Sequence, residues 1–194
     1  MSNRFKMISK KGHDCSEVIS AIQKCIRRGE ERDALYWAVE LYDSGYAEWL
    51  WKRLRIISSE DVGLAEPNIS SEIWALYSMH VIAAKNKEDK GEPQRLFMAH
   101  AVLKLCRAKK SRLVDWALIW AWLTHPHESK MIPDVALDKH TERGRLKKRS
   151  WHHFFTEGTI LKPHENQLFE EEYRDLASAA ISNPNGVDLF NSQD

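Results

Sequence analysis

The sequence contains little cysteine, glycine or proline and no long hydrophobic run. Its 194 residues include eight glycines, six prolines and three cysteines, and no two cysteines form a C-x-x-C pair. This cysteine pattern favours neither a disulfide scaffold nor a zinc ribbon. No run of about 18 apolar residues occurs, and the N-terminus lacks the apolar core of a signal peptide. We therefore expect a cytoplasmic protein that has no membrane-spanning segment.

The sequence also has almost no net charge. It carries 29 Lys and Arg against 28 Asp and Glu, a balance that excludes a generic polycation. Aromatic residues make up 10% of the chain, too many for a disordered protein. The eight tryptophans are roughly three times the usual number. Length and composition predict one folded domain, with or without a tail.

Apolar residues recur at three- and four-residue steps along most of the chain, which is the pattern of amphipathic helices. Asp14, with Glu17 three residues later, is typical of a helix N-cap, and Gly29 is typical of a helix end. The predicted helices cover about 14–29, 31–44, 47–57, 68–84, 93–106, 111–124 and 166–181. The sequence shows no strand pair with a hairpin signal. It therefore predicts an all-α protein, a compact multi-helix bundle of antiparallel neighbours.

Composition divides the chain into four segments. Residues 1–13 are predicted to form a flexible N-terminal arm, and residues 14–125 a helical domain. After Pro126 the sequence becomes rich in His, Arg, Lys and aromatic residues. Residues 126–182 are therefore predicted as a basic and aromatic segment with a last helix packed on the domain. Residues 183–194 are predicted to form a poorly ordered tail.

Three stretches in the first third of the chain occur in an unusual combination. They read EVISAIQKCIR at 17–27, DALYW at 33–37 and ISSEDVGLAEP at 57–67. In this order and spacing they resemble the C-terminal helical region of RarA/MgsA, the replication-associated recombination AAA+ ATPases. The long string SEDVGLAEP carries most of the resemblance, which extends over about residues 14–125.

The resemblance implies an all-helical domain, similar to a clamp-loader collar, that assembles the ATPase into tetramers beside its motor. The sequence contains no G-x-x-x-x-G-K-[ST] loop for phosphate binding, so ATP hydrolysis is not expected. We predict a stand-alone, non-enzymatic relative that uses no cofactor or metal and acts in DNA replication, recombination or repair. Its implied partners are further copies of itself in a dimer or tetramer, a RarA-type ATPase, or other replication proteins.

The SEDVGLAEP string also has a purely structural interpretation. Ser59 can cap a turn, Glu60 and Asp61 favour the N-terminal end of a turn, Gly63 supplies a left-handed conformation, and Pro67 interrupts the helical pattern. We expect these five residues to form a corner between two helices rather than a binding site.

Cations and aromatic rings cluster between residues 137 and 155. The predicted nucleic-acid or phosphate contacts are His140, Arg143, Arg145, Lys147, Lys148, Arg149 and His152. Phosphate contacts supply sequence-independent affinity and aromatic faces stack on unpaired bases, which favours single-stranded DNA. Gly144 is expected to let the backbone approach a phosphate closely. The alternative is a solvated charged face whose aromatic rings are buried against the bundle.

The tryptophan positions predict both a core and an interface. The predicted core tryptophans are Trp37, Trp74, Trp116 and Trp120. Trp49 and Trp51 lie about 200° apart on a helix, so they cannot both face one core. Because tryptophan is enriched at interfaces, we predict that Trp49, Trp51 and Trp122 form an oligomer interface.

A competing hypothesis is an enzyme that uses the His-rich region 125–153 to bind a metal or a phosphate-bearing ligand. His125, His127 and His152 are its candidate ligands. H-P-H brackets a helix-ending proline, and the adjacent histidines 152 and 153 point about 100° apart, which favours surface or packing roles. A third hypothesis is a regulator that co-assembles with a RarA-type ATPase.

The three cysteines are interpreted as core residues because they lie on apolar helix stripes. Arg27 and Arg28 follow Cys25 closely, an arrangement that favours a lowered pKa of its thiol. Core packing is the preferred interpretation of Cys25 nonetheless.

Overall fold

The structure, a computed structural model, describes residues 7–86, 91–161 and 175. Contacts between residues divide the chain into two units, residues 1–129 and residues 130–194. Apart from Asp175, the predicted last helix at 166–181 and the predicted tail at 183–194 lie outside the described residues.

The described part of the first unit consists of α-helices joined by short turns. They are α1 (Cys15–Arg28), α2 (Glu31–Asp43), α3 (Ala47–Ile57), α4 (Ile69–Lys85), α5 (Pro93–Arg107) and α6 (Leu113–Thr124). A π-helical turn (Ser58–Val62) and a 3-10 turn (Gly63–Ala65) lead from α3 to α4, and a 3-10 turn (His125–His127) follows α6. Within the described ranges, the only extended pairing is one antiparallel bridge between Ile8 and Asp14. The predicted all-α fold is confirmed.

The capping residues at the two ends of α1 explain why the predicted and observed ends of this helix agree. Asp14 Oδ1 accepts a hydrogen bond from the backbone N–H of Ser16 at 2.8 Å, which caps the first turn. At the other end Gly29 adopts φ +74°, the left-handed conformation that closes a helix without steric cost. After α3, residues Ser58–Val62 continue as a π-helical turn, which begins the predicted corner.

Helices α1 to α5 enclose one apolar core. Its largest fully buried side chains in these helices are Ile22, Ile26, Leu41, Leu50, Trp51, Leu54, Ile57, Ile69, Ile73 and Leu105. Trp37 packs against this core and is partly buried. Helix α6 contributes no buried residue.

The structure corrects four of the tryptophan predictions. Trp74, Trp116 and Trp120, predicted for the core, are 55%, 59% and 62% exposed. Trp51, predicted for the oligomer interface, is fully buried. Its ring packs near Tyr77 and His80, with centroids 5.6 and 5.1 Å away. Trp51 therefore belongs to the core and not to an interface.

The SEDVGLAEP string forms a corner whose central residue is Asp61. The Asp61 side chain is fully buried, and its carboxylate accepts hydrogen bonds from Arg27 Nε at 2.5 Å and Gln23 Nε2 at 2.9 Å, both on α1. Glu60 lies 3.2 Å from the same guanidinium. A buried carboxylate is tolerated when it is paired and hydrogen-bonded in this way. The corner is thus tied to α1 by charge.

The corner also positions the N-terminal end of α6. The backbone carbonyl of Asp61 accepts a hydrogen bond from Ser111 N at 2.9 Å, and Glu66 accepts one from Lys109 N at 2.8 Å. Gly63 has φ +49°, and a Cβ there would lie 2.9 Å from Val114 Cγ2. Only glycine fits between this backbone conformation and α6.

Within residues 130–161, the second unit is built from short elements around a cluster of rings. They are a 3-10 turn (Asp134–Ala136), α7 (Glu142–Leu146), α8 (Trp151–His153) and a π-helical turn (Phe154–Gly158). The rings of Trp151 and Phe155 stack with centroids 5.8 Å apart, and the Lys139 ammonium lies 3.5 Å above the Trp151 ring centroid. This described part of the unit is held by rings and ion pairs rather than by a large apolar core.

Gly144 has a different role from the predicted one. It is buried, and a Cβ there would lie 1.6 Å from the carbonyl oxygen of Asp138. Its N–H donates to Thr141 Oγ1 at 3.0 Å, the N-cap of α7. Gly144 therefore allows α7 to pack against the 137–138 backbone, and the expectation of a close phosphate approach at Gly144 is wrong.

We expect Asp61→Asn to lower the free energy of unfolding by about 2–3 kcal/mol, because it leaves the Arg27 guanidinium without its buried counter-charge. Urea denaturation followed by circular dichroism measures this loss. Glu30→Gln is the control, since Glu30 and Arg28 form an exposed pair at 3.8 Å that contributes little. Equal stability of the two variants would contradict the role of Asp61.

We expect Gly144→Ala to disrupt the packing of residues 130–161 while α1 to α5 stay folded, because the added Cβ collides with backbone. Limited proteolysis read by mass spectrometry should show new cleavage confined to this segment. Gly158→Ala is the matched control, since its Cβ would meet only the edge of the Phe154 ring, at 3.3 Å. Unchanged protection in Gly144→Ala would refute the packing role.

Candidate assembly surface and basic segment

Helix α6 presents its apolar side chains to solvent. Asp115 is its one charged residue, and none of its twelve residues is buried. The outer stripe of α6 consists of Leu113, Trp116, Ile119, Trp120 and Leu123, which are 40–68% exposed. Their three- and four-residue spacing places them along one side of the helix. A contiguous apolar surface of this kind marks an interaction site.

Two of the three predicted interface tryptophans lie on the surface. Trp122 is 73% exposed on α6, on the side of the helix that carries Leu118 rather than on the outer stripe. Trp49 is 41% exposed near the start of α3, with its ring 5.5 Å from that of Tyr46. As their spacing requires, Trp49 and Trp51 point in different directions. These two tryptophans therefore lie on different helices, α3 and α6.

A groove of about 620 Å³ runs between α3, the corner and α6. It is lined by Lys52, Arg55, Ile56, Ser59, Glu60, Val114, Asp115 and Leu118. Val114 and Leu118 face it from the side of α6 opposite the outer stripe. The first unit therefore has two separate candidate binding surfaces, one on each side of α6.

The structure divides the predicted basic contacts into paired and unpaired cations. Asp134 binds both Lys147 and Arg149, and these hydrogen bonds hold the pKa of its carboxyl below the ordinary value. His140 Nδ1 lies 3.0 Å from Asp138 Oδ2. These three side chains are therefore engaged within the unit.

The remaining predicted contacts are exposed. Arg145 donates to the carbonyl oxygen of His140 at 3.2 Å, which orients the side chain without neutralising its charge. Among the described residues, Arg143 and Lys148 have no carboxylate within ion-pair distance. His152 is exposed on α8. Arg143, Arg145 and Lys148 are thus the cations of this segment that retain free charge.

The histidines and cysteines are not gathered into a reactive site in the part of the chain that the structure describes. His125, His127 and His152 are exposed, and no group of three or more His, Cys, Asp or Glu side chains among the described residues is placed to hold a metal ion. Burial raises the pKa of the Cys25 thiol, and it raises that of Cys106 to about 11. The lowered pKa considered for Cys25 is therefore wrong, because desolvation outweighs the nearby arginine.

Sequence reasoning missed the outer stripe of α6. Trp116 and Trp120 lie on an apolar stripe, which predicts a core position, whereas Trp122 lies off that stripe and is predicted for the interface. The sequence signal that could have revealed this exposure is the lack of a polar face in LVDWALIWAWLT. Without a polar face, the sequence does not show which side of the helix is buried.

No described helix is both long and apolar enough to cross a membrane.

The chain is similar to proteins from several bacteria. Residues 29–175 match the family described as MgsA AAA+ ATPase C terminal. The chain is 34% identical to Replication-associated recombination protein A of Bacillus subtilis (strain 168) over 96 residues, 49% of this chain and 21% of that protein. It is 28% identical to the Haemophilus influenzae protein of the same name over 144 residues, 72% of this chain and 29% of that protein. It is 32% identical to an uncharacterised AAA domain-containing protein of Mycobacterium tuberculosis over 104 residues, 53% of this chain and 22% of that protein.

These matches correct the predicted limits of the family resemblance. The chain spans less than a third of the length of these relatives. The family match begins at residue 29 rather than 14, and it continues to residue 175, well past the predicted limit of 125. Because it covers more than half of the sequence, the chain belongs to the MgsA AAA+ ATPase C-terminal family.

Proposed function

We propose that this chain is a non-enzymatic assembly domain that self-associates and acts with replication-associated recombination proteins. The observation that carries the proposal is the exposed outer stripe of α6. Two large indole rings and three aliphatic side chains share this surface. Removing such area from water is worth about 25 cal/mol per Å².

A second copy of the chain is the partner that this surface fits best. The outer stripe carries no charged side chain, so two copies can meet face to face without opposing like charges. The nearest charge on the helix, Asp115, is bound by Arg112. A membrane surface is a poorer partner, because α6 lacks the basic polar face of an interfacial helix.

The family supports the biological setting and the absence of an ATPase activity. The matched relatives include two named replication-associated recombination proteins. Only the helical C-terminal part of an AAA+ ATPase is matched, and the sequence has no G-x-x-x-x-G-K-[ST] loop. A RarA-type ATPase subunit that carries the same domain would join the assembly through the same stripe.

We expect Leu123→Glu to convert the assembled protein into monomers, because it places a charge within the apolar contact. Size-exclusion chromatography with light scattering gives the mass directly. Leu96→Glu on α5 is the matched control, since Leu96 and Leu123 are both 68% exposed. An unchanged mass for Leu123→Glu, or monomers from both variants, would overturn the assignment of the interface to α6.

A second candidate function is single-stranded DNA binding by the basic segment. The observation that favours it is the free charge on Arg143 and Lys148, which other side chains of the described unit leave unneutralised. The described part of the same unit also carries a cluster of aromatic rings, Trp151, Phe154 and Phe155. Cations beside aromatic faces are the usual components of a single-strand binding surface.

We expect Arg143→Gln combined with Lys148→Asn to weaken binding to oligo-dT and to flatten its salt dependence. Asparagine suits the left-handed backbone at Lys148, φ +56°. The slope of log K against log salt should fall by about 0.7 for each phosphate contact removed. Fluorescence anisotropy at several salt concentrations measures it, with Arg32→Gln on α2 as the control. A slope equal to that of wild type would exclude these two cations.

A further inference from the structure

The groove beside α6 has an uneven distribution of charge. Its two carboxylates are already neutralised, since Glu60 lies 3.2 Å from Arg27 and Asp115 binds Arg112. On the opposite wall, no carboxylate of a described residue lies within ion-pair distance of Lys52 or Arg55. The groove therefore has a net positive potential despite its mixed composition.

Arg55 is held in position without being neutralised. Its Nε donates to the carbonyl oxygen of Trp51 at 3.3 Å, and its guanidinium lies 4.4 Å from the centroid of the Tyr77 ring. A guanidinium fixed in this way loses little conformational entropy when it binds an anion. Lys52, one turn before Ile56 on the same helix, is exposed and supplies a second cation.

Apolar side chains form the remaining part of the groove. Ile56, Val114 and Leu118 are 36%, 37% and 50% exposed there. A volume of about 620 Å³ is within the range of pockets that accept a few side chains or a small ligand. The groove thus combines fixed positive charge with an apolar surface.

We propose that this groove binds a short acidic segment of a partner protein that carries one large apolar side chain. The carboxylates of the segment pair with Lys52 and Arg55, and its apolar side chain packs on Ile56, Val114 and Leu118. This site is distinct from the proposed self-association surface, because Val114 and Leu118 face away from the outer stripe of α6. The segment and a second copy of the chain therefore contact different side chains of α6.

Nucleic acid fits the groove less well than an acidic peptide. A phosphate backbone requires several cations and has no apolar group for Ile56 and Leu118 to cover. Among the described residues that line it, the groove offers only two unpaired cations, Lys52 and Arg55, beside its apolar surface. Separated carboxylates on either side of one apolar side chain match both features.

The test is a direct binding measurement on the full chain. The probe is a fluorescein-labelled peptide, Gly-Asp-Glu-Asp-Phe-Glu-Asp-Gly, followed by fluorescence anisotropy at low ionic strength. Two matched peptides carry either amides in place of every carboxylate or Ser in place of Phe. We expect the parent peptide to bind at least about tenfold more tightly than either matched peptide, because each lacks one half of the recognition.

Variants of the groove locate the site. Lys52→Glu should weaken binding of the parent peptide by at least about tenfold, and Leu118→Ser by about fivefold. Arg32→Glu on α2 makes the same change of charge on an exposed side chain remote from the groove and should leave binding within about twofold. Leu123→Glu should leave it unchanged, whether or not that variant is monomeric.

The outcomes either support or overturn the proposal. Loss of binding with Lys52→Glu and Leu118→Ser, together with retention by Arg32→Glu, supports it. Equal binding of the amide peptide, wild-type affinity in Lys52→Glu, or stronger competition by oligo-dT than by unlabelled peptide overturns it. Thermal melts of each variant verify folding. If Lys52→Glu does not fold, binding is measured with Lys52→Met instead, because this variant removes the charge and retains the aliphatic stem.

Discussion

The buried ion pair between Asp61 and Arg27 is the interaction on which the other surfaces of the first unit depend. Asp61 is fully buried and accepts hydrogen bonds from two side chains of α1, while its backbone carbonyl holds Ser111 just before α6. One residue therefore joins the first helix of the unit to the last. If this carboxylate lost its partners, the uncompensated cost of its desolvation would destabilise the corner. The ion pair thus fixes the corner, and the corner in turn positions α6 and with it the groove and the outer stripe.

The first unit separates stability from surface function along its sequence. Helices α1 to α5 provide the buried apolar side chains, and α6 provides none. A helix with this composition is expected in a core, so its exposure is a cost that the isolated chain bears. The proposed contact with a second copy would offset that cost. In the second unit, ion pairs at Asp134 and the rings around Trp151 provide local order, and the charges left over are those available for binding.

Much of the fold could be predicted because the signals were local. The cap at Asp14, the glycine at 29 and the apolar spacing of α1 each act within a few residues, and each located its element correctly. The errors concern properties that depend on distant partners. Trp116 and Trp120 lie on an apolar stripe, but whether a stripe meets a core depends on what lies opposite it. The misplacement of Trp51 has the same origin. Gly144 is a further example. A side chain at position 144 would collide with the carbonyl oxygen of Asp138, and this contact is visible only in the folded structure.

The attachment of α6 at the corner has a mechanical consequence. Its contacts at Ser111, Gly63 and Val114 all lie at the N-terminal end, whereas Trp120, Trp122 and Leu123 lie near the other end. Twelve helical residues extend about 18 Å, so a tilt of about 10° at the corner displaces the last turn by about 3 Å. Helix α6 can therefore tilt about its contact with Gly63. A ligand that opens the groove would therefore displace the distal tryptophans, and in the proposed assembly it would change the angle between copies without any rearrangement of the core.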